Sequence, residues 1–275
     1  MKLDMNRAWT DALSLIQANL GVVAIVAGVF FFLPYLAFML LMPDAMASMQ
    51  FDADPADTQA VLDQFTAMYA DIWWMIVLMT IAQTIGTLAL LALLRDENRP
   101  TVGQAIGIGA IGLLTSLAAT IILYVGFGIV GGILLGGAIA SDITALAVIV
   151  GILLFVALIY VAVKFSLLAP AIAIDKVYNP FAALARSWRL TKGNSVRLFV
   201  FYLLLIIALA VVSGVIGLIV ALVFGLAGPD VAVFGTGFFN AILNAVYIVL
   251  MLGVLAGIHR QLAGPDAETM SETFE

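Results

Sequence analysis

Six apolar stretches, at 20–42, 72–94, 109–136, 143–164, 197–224 and 234–257, each run for more than twenty residues, and the charges fall between them. An α-helix rises 1.5 Å per residue, so about 20 residues cross the ~30 Å hydrocarbon core of a bilayer. Inside lipid no water satisfies the backbone, which leaves helices and closed barrels as the spanning structures. Unbroken apolar runs of this length, without two-residue alternation, are helical. The expected fold is an all-α integral membrane protein with six transmembrane helices in three hairpins. Composition agrees: 10% of the residues are charged and 64% are apolar, where a soluble domain carries about 25% charged residues.

The eleven Lys and Arg residues are Lys2, Arg7, Arg95, Arg99, Lys164, Lys176, Arg186, Arg189, Lys192, Arg197 and Arg260. None lies in the long connection 43–71, which instead holds Asp44, Asp52, Asp54, Asp57, Asp63 and Asp71. Basic residues flanking spans are retained in the cytoplasm, so both termini are expected inside and the 43–71 connection outside. The first apolar run exceeds the 7–15 residues of a signal-peptide core, and an uncleaved N-terminus is expected. The net charge of −6 sums a basic inner and an acidic outer population and is no guide to a partner. A single six-helix membrane domain is expected over 1–260. An acidic tail, 261–275, follows the helix-breaking Gly264-Pro265 and is expected to be disordered.

Little chemistry is available. The chain has no cysteine and one histidine, His259, and its spans lack Asp and Glu near their midpoints. Hydrolysis or group transfer requires a nucleophile, base or metal constellation. None is legible, so no catalytic residue, metal or cofactor is expected. Asp52, Asp54 and Asp57 lack the glycine and distal glutamate of a calcium loop. Asp54-Pro55 reads instead as the start of an outer helix over about 55–69, with Val61, Phe65 and Met68 on one face.

A three-part pattern runs along the chain, each part a short amphipathic helix followed by a two-span hairpin. In the first, Met5, Trp9, Ala12, Leu13, Ile16 and Leu20 share a stripe, with Arg7, Asp11 and Ser14 opposite. In the third, Asn179 caps a helix, Pro180 occupies its first turn and Gly193 lies past its end. Phe181, Leu184, Ala185 and Trp188 form its apolar stripe, bordered by Arg186 and Arg189, as suits a helix in the headgroup plane. The middle segment, 100–108, is too rich in glycine for a firm helix.

The most specific segment contains Ala169-Pro170-Ala171, the pair Asp175-Lys176, Ala183-Leu184, and Arg186-Ser187-Trp188 leading into Leu190-Thr191-Lys192-Gly193-Asn194. It resembles the membrane domain found in some glycerophosphoryl diester phosphodiesterases and the related bacterial inner-membrane proteins of the YciC type. Asp175 stands where Glu is more usual. The resemblance implies a bacterial inner-membrane protein. It also implies that phosphodiester chemistry, where the family has it, resides in a separate soluble barrel, which a chain with one histidine does not supply.

Pro170 is expected to end or kink the fourth span. Beyond it, Lys176, Arg186, Arg189, Lys192 and Arg197 are candidate contacts for lipid phosphate, at about 1 kcal/mol each near an anionic surface. The competing role is enforcement of topology alone. Lys164 reads as an interfacial anchor whose stem snorkels. Gln83 and Thr87, with Thr80, share a face of the second span, and Asn240, Asn244 and Tyr247 share a face of the sixth. They either bond between helices or line a polar path. Gly128, Gly132 and Gly136, and likewise Gly253 and Gly257, have the four-residue spacing of close helix packing, within the bundle or at a homodimer seam. Pro34 is expected to kink the first span.

The leading reading is a non-enzymatic membrane protein that engages membrane lipids, another copy of itself or an envelope protein, and no nucleic acid. A transporter or channel for a small or lipidic solute is the first alternative, and a membrane-embedded regulatory or accessory subunit the second.

Overall fold

The computed structural model describes residues 2–41, 58–94 and 100–264. Among these, six helical segments are long and apolar enough to cross a membrane: Leu20–Leu41, Ile72–Leu93, Val102–Ala140, Thr144–Ala173, Ser195–Gly225 and Val231–Ala263. The protein is an all-α integral membrane protein. Its elements are α1 (Met5–Ala18), α2 (Leu20–Leu41), α3 (Thr58–Leu93), α4 (Val102–Ala140), α5 (Thr144–Lys164), α6 (Leu168–Ala173), α7 (Pro180–Thr191), α8 (Ser195–Gly225) and α9 (Pro229–Ala263).

Two expected helix starts are corrected. The outer helix placed at 55–69 is not a separate element. From Thr58 it runs without a break into the second span and ends at Leu93. Asp54-Pro55 and most of the acidic connection lie outside the described residues, as do Arg95 and Arg99. The middle segment 100–108 is likewise no separate interfacial helix. Thr101 Oγ1 accepts from Gln104 N, and Thr101 N donates to Gln104 Oε1 at 2.9 Å, a reciprocal cap that starts α4 at Val102. The three-part pattern therefore fails at its middle unit. The last helix continues to Ala263, past the boundary set at 260, while 265–275 lie outside the described residues.

Both prolines act through the backbone ahead of them. Pro34 cannot donate to the carbonyl four residues back, and α2 widens just before it into a π-type turn over Gly28–Phe32. Pro170 does not itself mark the break in the fourth span. The helix stops at Lys164, and α6 resumes at Leu168 with Pro170 in its first turn. A proline ring clashes with the carbonyl four residues earlier, here that of Ser166, so the helix cannot run through 165–167.

The packed core sits at one end of the bundle. Residues Leu88 to Leu94, the end of α3 and the residue after it, are buried, enclosed by α2, α4, α6 and α9. A helix buried all round is apolar all round, and this run contains only Leu and Ala. α1 lies against α9, with Ala8, Ala12, Leu15 and Ile16 buried. Gly253 and Gly257 make that approach possible. A Cβ on Gly253 would stand 2.6 Å from Ile16 Cδ1, and one on Gly257 2.7 Å from the carbonyl oxygen of Ala8. Gly128, Gly132 and Gly136 do not pack within the bundle, since nothing lies within 4 Å of a Cβ at any of them.

Candidate functional site

The segment carrying the family-like residues folds into a polar knot at the same end as the core. α7 begins where Asn179 Oδ1 accepts from Ala182 N at 3.1 Å, with Pro180 at its first position. Its packed face is Ala183, Leu184, Ser187, Leu190 and Thr191. Of the expected apolar stripe only Leu184 faces inward. Phe181, Ala185 and Trp188 point out, with Phe181 68% and Trp188 40% exposed. One face thus packs on protein, and an adjacent edge presents aromatic side chains outward.

The inward hydroxyls serve the break in the fourth span. A helix end leaves its last carbonyls without intrahelical donors. Ser187 Oγ donates to Lys164 O at 3.0 Å, and Thr191 Oγ1 stands 3.2 Å from the same oxygen and 3.0 Å from Ser187 O. Lys164 itself is only 4% exposed. Its Nζ lies 4.9 Å from the centroid of the Trp188 ring and 5.6 Å from that of Tyr160. Those rings meet edge to face at 5.9 Å. The snorkelling stem expected for Lys164 is thus replaced by a cation held beneath aromatic rings.

Asp175 forms the second part of the knot. Arg186 Nε donates to Asp175 Oδ2 at 2.7 Å, so the carboxylate pairs with this arginine and not with its neighbour Lys176. His259 Nε2 of α9 is 3.1 Å from Asp175 Oδ1, a close contact that does not meet hydrogen-bond geometry. The proximity counts as a charge contact when the imidazole is protonated. Burial pushes the Asp175 carboxyl up, yet His259 and Arg186 outweigh it and hold the group below its ordinary range. Beside it, Thr115 Oγ1 of α4 donates to Tyr178 O at 2.6 Å.

The N-terminus closes the knot. Leu3 N donates to Asn194 Oδ1 at 2.9 Å, and Arg197 Nη1 donates to Leu3 O at 3.4 Å. Asp4 N donates to Gln261 Oε1 at 3.1 Å, while Gln261 Nε2 returns to Asp4 O at 3.2 Å. Gly193, with φ 81°, supplies the left-handed turn that brings Asn194 under the incoming chain.

The five expected phosphate contacts therefore divide. Arg186 is committed to Asp175, and Arg197 is partly engaged by Leu3. Lys176 is exposed on a left-handed residue, φ 54°. Arg189 and Lys192 are exposed and have no ion-pair partner among the described residues. Lys192 lies within electrostatic range of Lys164.

Two of the intramembrane polar residues bond to backbone carbonyls. Tyr247 Oη donates to Leu209 O at 3.3 Å, joining α9 to α8. Thr80 Oγ1 bonds back to Ile76 O in its own helix. Gln83, Thr87, Asn240 and Asn244 make no hydrogen bond among the described residues. Gln261, Thr115 and the Tyr202–Ser166 pair, 3.0 Å apart, are not legible in the sequence because their partners are distant in the chain. The Ser187/Thr191 spacing of one helical turn was the one local signal of a shared acceptor.

Residues 137–262 match the family described as the membrane domain of glycerophosphoryl diester phosphodiesterase. The match contains α5 to α8 and most of α9, and with them Lys164, Asp175, Arg186, Ser187 and His259 of the knot but not Thr115, Leu3 or Asp4; it is to the membrane domain, not to a catalytic domain. No curated protein and no solved structure matches the chain.

Proposed function

We propose that a chain carrying this membrane domain works without catalysis of its own, as a bacterial inner-membrane protein whose basic end rests on anionic lipid headgroups. Both termini are then cytoplasmic, a placement supported by the distribution of Lys and Arg. The observation that carries the reading is the division among the cations. Arg189 and Lys192 are exposed and unpaired among the described residues, on a helix whose outward edge is Phe181, Ala185 and Trp188. Aromatic rings beside free cations suit the level where acyl chains meet phosphates. Lys176 adds a third cation, and each contributes about 1 kcal/mol at an anionic surface. Arg186 is assigned the structural role of holding Asp175.

Native mass spectrometry of protein released from mixed anionic and zwitterionic nanodiscs tests this. Arg189→Gln with Lys192→Gln is expected to lose the preference for anionic lipid, whereas Arg186→Gln keeps that preference and loses stability. Undiminished anionic-lipid retention in the double variant would reduce these cations to topology signals.

A further inference from the structure

Lys164 is a buried cation for which the described residues supply no anion. It is 4% exposed, and neither a carboxylate nor a hydrogen-bond acceptor meets its ammonium among those residues. The Asp175 carboxylate of the knot is taken by Arg186 and His259. What Nζ does meet is two ring faces, Trp188 at 4.9 Å and Tyr160 at 5.6 Å. An ammonium has three N–H donors. The two rings stand nearly perpendicular, at 82°, and each receives one donor at most, so a third is left over. Ring faces replace only part of the hydration that a buried charge gives up.

The second charge at this place has the same sign. Lys192 lies within electrostatic range of Lys164. The backbone sets its position: Thr191 Oγ1 stands 3.2 Å from Lys164 O, and Lys192 is the next residue. Trp188 and Lys192 are four residues apart, so α7 brings the ring and the second ammonium to one side. Two cations held together without an anion repel, and an anion between them makes two attractions instead. The place is open at its rim, where Tyr160 is 47% and Trp188 40% exposed and Lys192 is exposed. It is also built in advance. Ser187 and Thr191 hold the Lys164 carbonyl, and Phe165 packs on Trp188 with ring centroids 5.7 Å apart. Groups already in position bind at less cost than groups that must be ordered.

The geometry points to a phosphate site in which the ammoniums of Lys164 and Lys192 share one phosphate group at the Tyr160 and Trp188 rings. Lysines serve phosphate as point charges. Lys164 ends α5, so the phosphate of a phospholipid reaches it with the acyl chains along the span. That lipid source rests on the reading of the basic end as the headgroup level. The site adds to it a buried cation and a single bound lipid.

The test uses the full chain in nanodiscs of equimolar dioleoylphosphatidylglycerol and dioleoylphosphatidylcholine, with native mass spectra at rising collisional activation. The wild type is expected to keep one phosphatidylglycerol to the highest energies. Lys164→Met removes the buried ammonium and leaves Lys176, Arg189 and Lys192 in place. It is expected to stay enriched in loosely held phosphatidylglycerol but to shed the last one where the wild type retains it. Equal retention by Lys164→Met overturns the site and leaves the headgroup reading standing. A wild type that holds phosphatidylglycerol no better than phosphatidylcholine overturns the lipid as ligand and the headgroup reading together.

Reductive methylation of the unmodified protein in dodecylmaltoside removes dependence on the folding of the variant. The lysines to be read are Lys2, Lys164, Lys176 and Lys192. Added phosphatidylglycerol is expected to slow methylation of Lys164 and Lys192 more than that of Lys2, and phosphatidylcholine to slow neither. Equal slowing by inorganic phosphate keeps the two-lysine site and overturns its lipid source. Methylation of Lys164 unchanged by phosphatidylglycerol and by phosphate overturns the site.

Discussion

Ser187 and Thr191 converge on a single acceptor, the carbonyl of Lys164, and this makes their loss non-additive. With Ser187→Ala, the Thr191 hydroxyl can give its one proton to Lys164 O, and the cost should stay near ~0.5–1 kcal/mol. Ser187→Ala with Thr191→Val leaves a buried carbonyl without a donor, and the cost should rise to about 2–3 kcal/mol, beyond the sum of the single variants. Unfolding in detergent micelles reads both. The Asp175 cluster adds a dependence on pH. Its carboxyl sits below the ordinary value of 3.8, so its contribution is full above that value and is lost as pH falls through the lower folded one. The melting temperature of the wild type should therefore drop in strong acid more than that of Asp175→Asn, and a parallel decline in the two would remove the carboxylate as the cause. Arg186→Gln breaks a partly exposed pair and should cost about 1–3 kcal/mol, less than the 3–5 of a fully buried one. Much of this was only half legible in the sequence. Asp175, Ser187 and Asn194 stood out within a family-like segment, but their partners Arg186, Lys164 O and Leu3 are fixed by the fold and not by spacing.

At the level of helices, one sequence pattern has two outcomes. Gly253 and Gly257 receive α1, whereas Gly128, Gly132 and Gly136 have the same spacing and touch nothing. Four-residue spacing permits close approach; which neighbour arrives is decided by the hairpin order and by the length of α1. Gly257→Leu should therefore drive α1 from α9 at a cost of about 1–3 kcal/mol from overpacking, with faster hydrogen exchange over residues 5–18. Gly132→Leu should leave stability and exchange within about 0.5 kcal/mol of wild type, as at other open surface positions. Exchange unchanged in Gly257→Leu would show that the α1 contact is not held by this seam. The apolar stripe of α7 divides, with Leu184 inward and Phe181, Ala185 and Trp188 outward, for a related reason. Helical periodicity identifies apolar positions but cannot separate a face that packs on protein from one that meets lipid, because both are apolar. The inward face of α7 is signalled by its small hydroxyls instead.

The whole molecule is packed tightly at the basic end and thinly beyond it. The spans Val102–Ala140, Thr144–Ala173 and Ser195–Gly225 are 6% buried over their most apolar windows, against 39% for Ile72–Leu93 and 44% for Val231–Ala263. The last two are inner helices, and the first three present most of their surface outward. Span number and position were legible because the lipid core imposes length and composition on any helix that crosses it. Which spans lie inside was not, since helices facing lipid and helices facing one another are equally apolar. The chain has no cysteine, so single cysteines report sidedness directly. In intact cells a membrane-impermeant thiol reagent should label Asp142→Cys and Ala227→Cys and should spare Lys2→Cys and Arg189→Cys. Labelling of all four, or the reverse pattern, would overturn the cytoplasmic placement of the basic end.

The two hydrogen bonds between Asp4 and Gln261 join positions 257 apart in the chain. At roughly 5–20 residues per second of synthesis, α1 emerges between about ten and fifty seconds before the residue that holds it. Throughout that interval its buried face, Ala8, Ala12, Leu15 and Ile16, has no α9 to cover it. An amphipathic helix can wait in the membrane interface, where apolar groups leave water without crossing the bilayer. On this view the amphipathic character of α1 is a requirement of biogenesis as much as of the finished fold, and the last helix to insert completes the seat of the first.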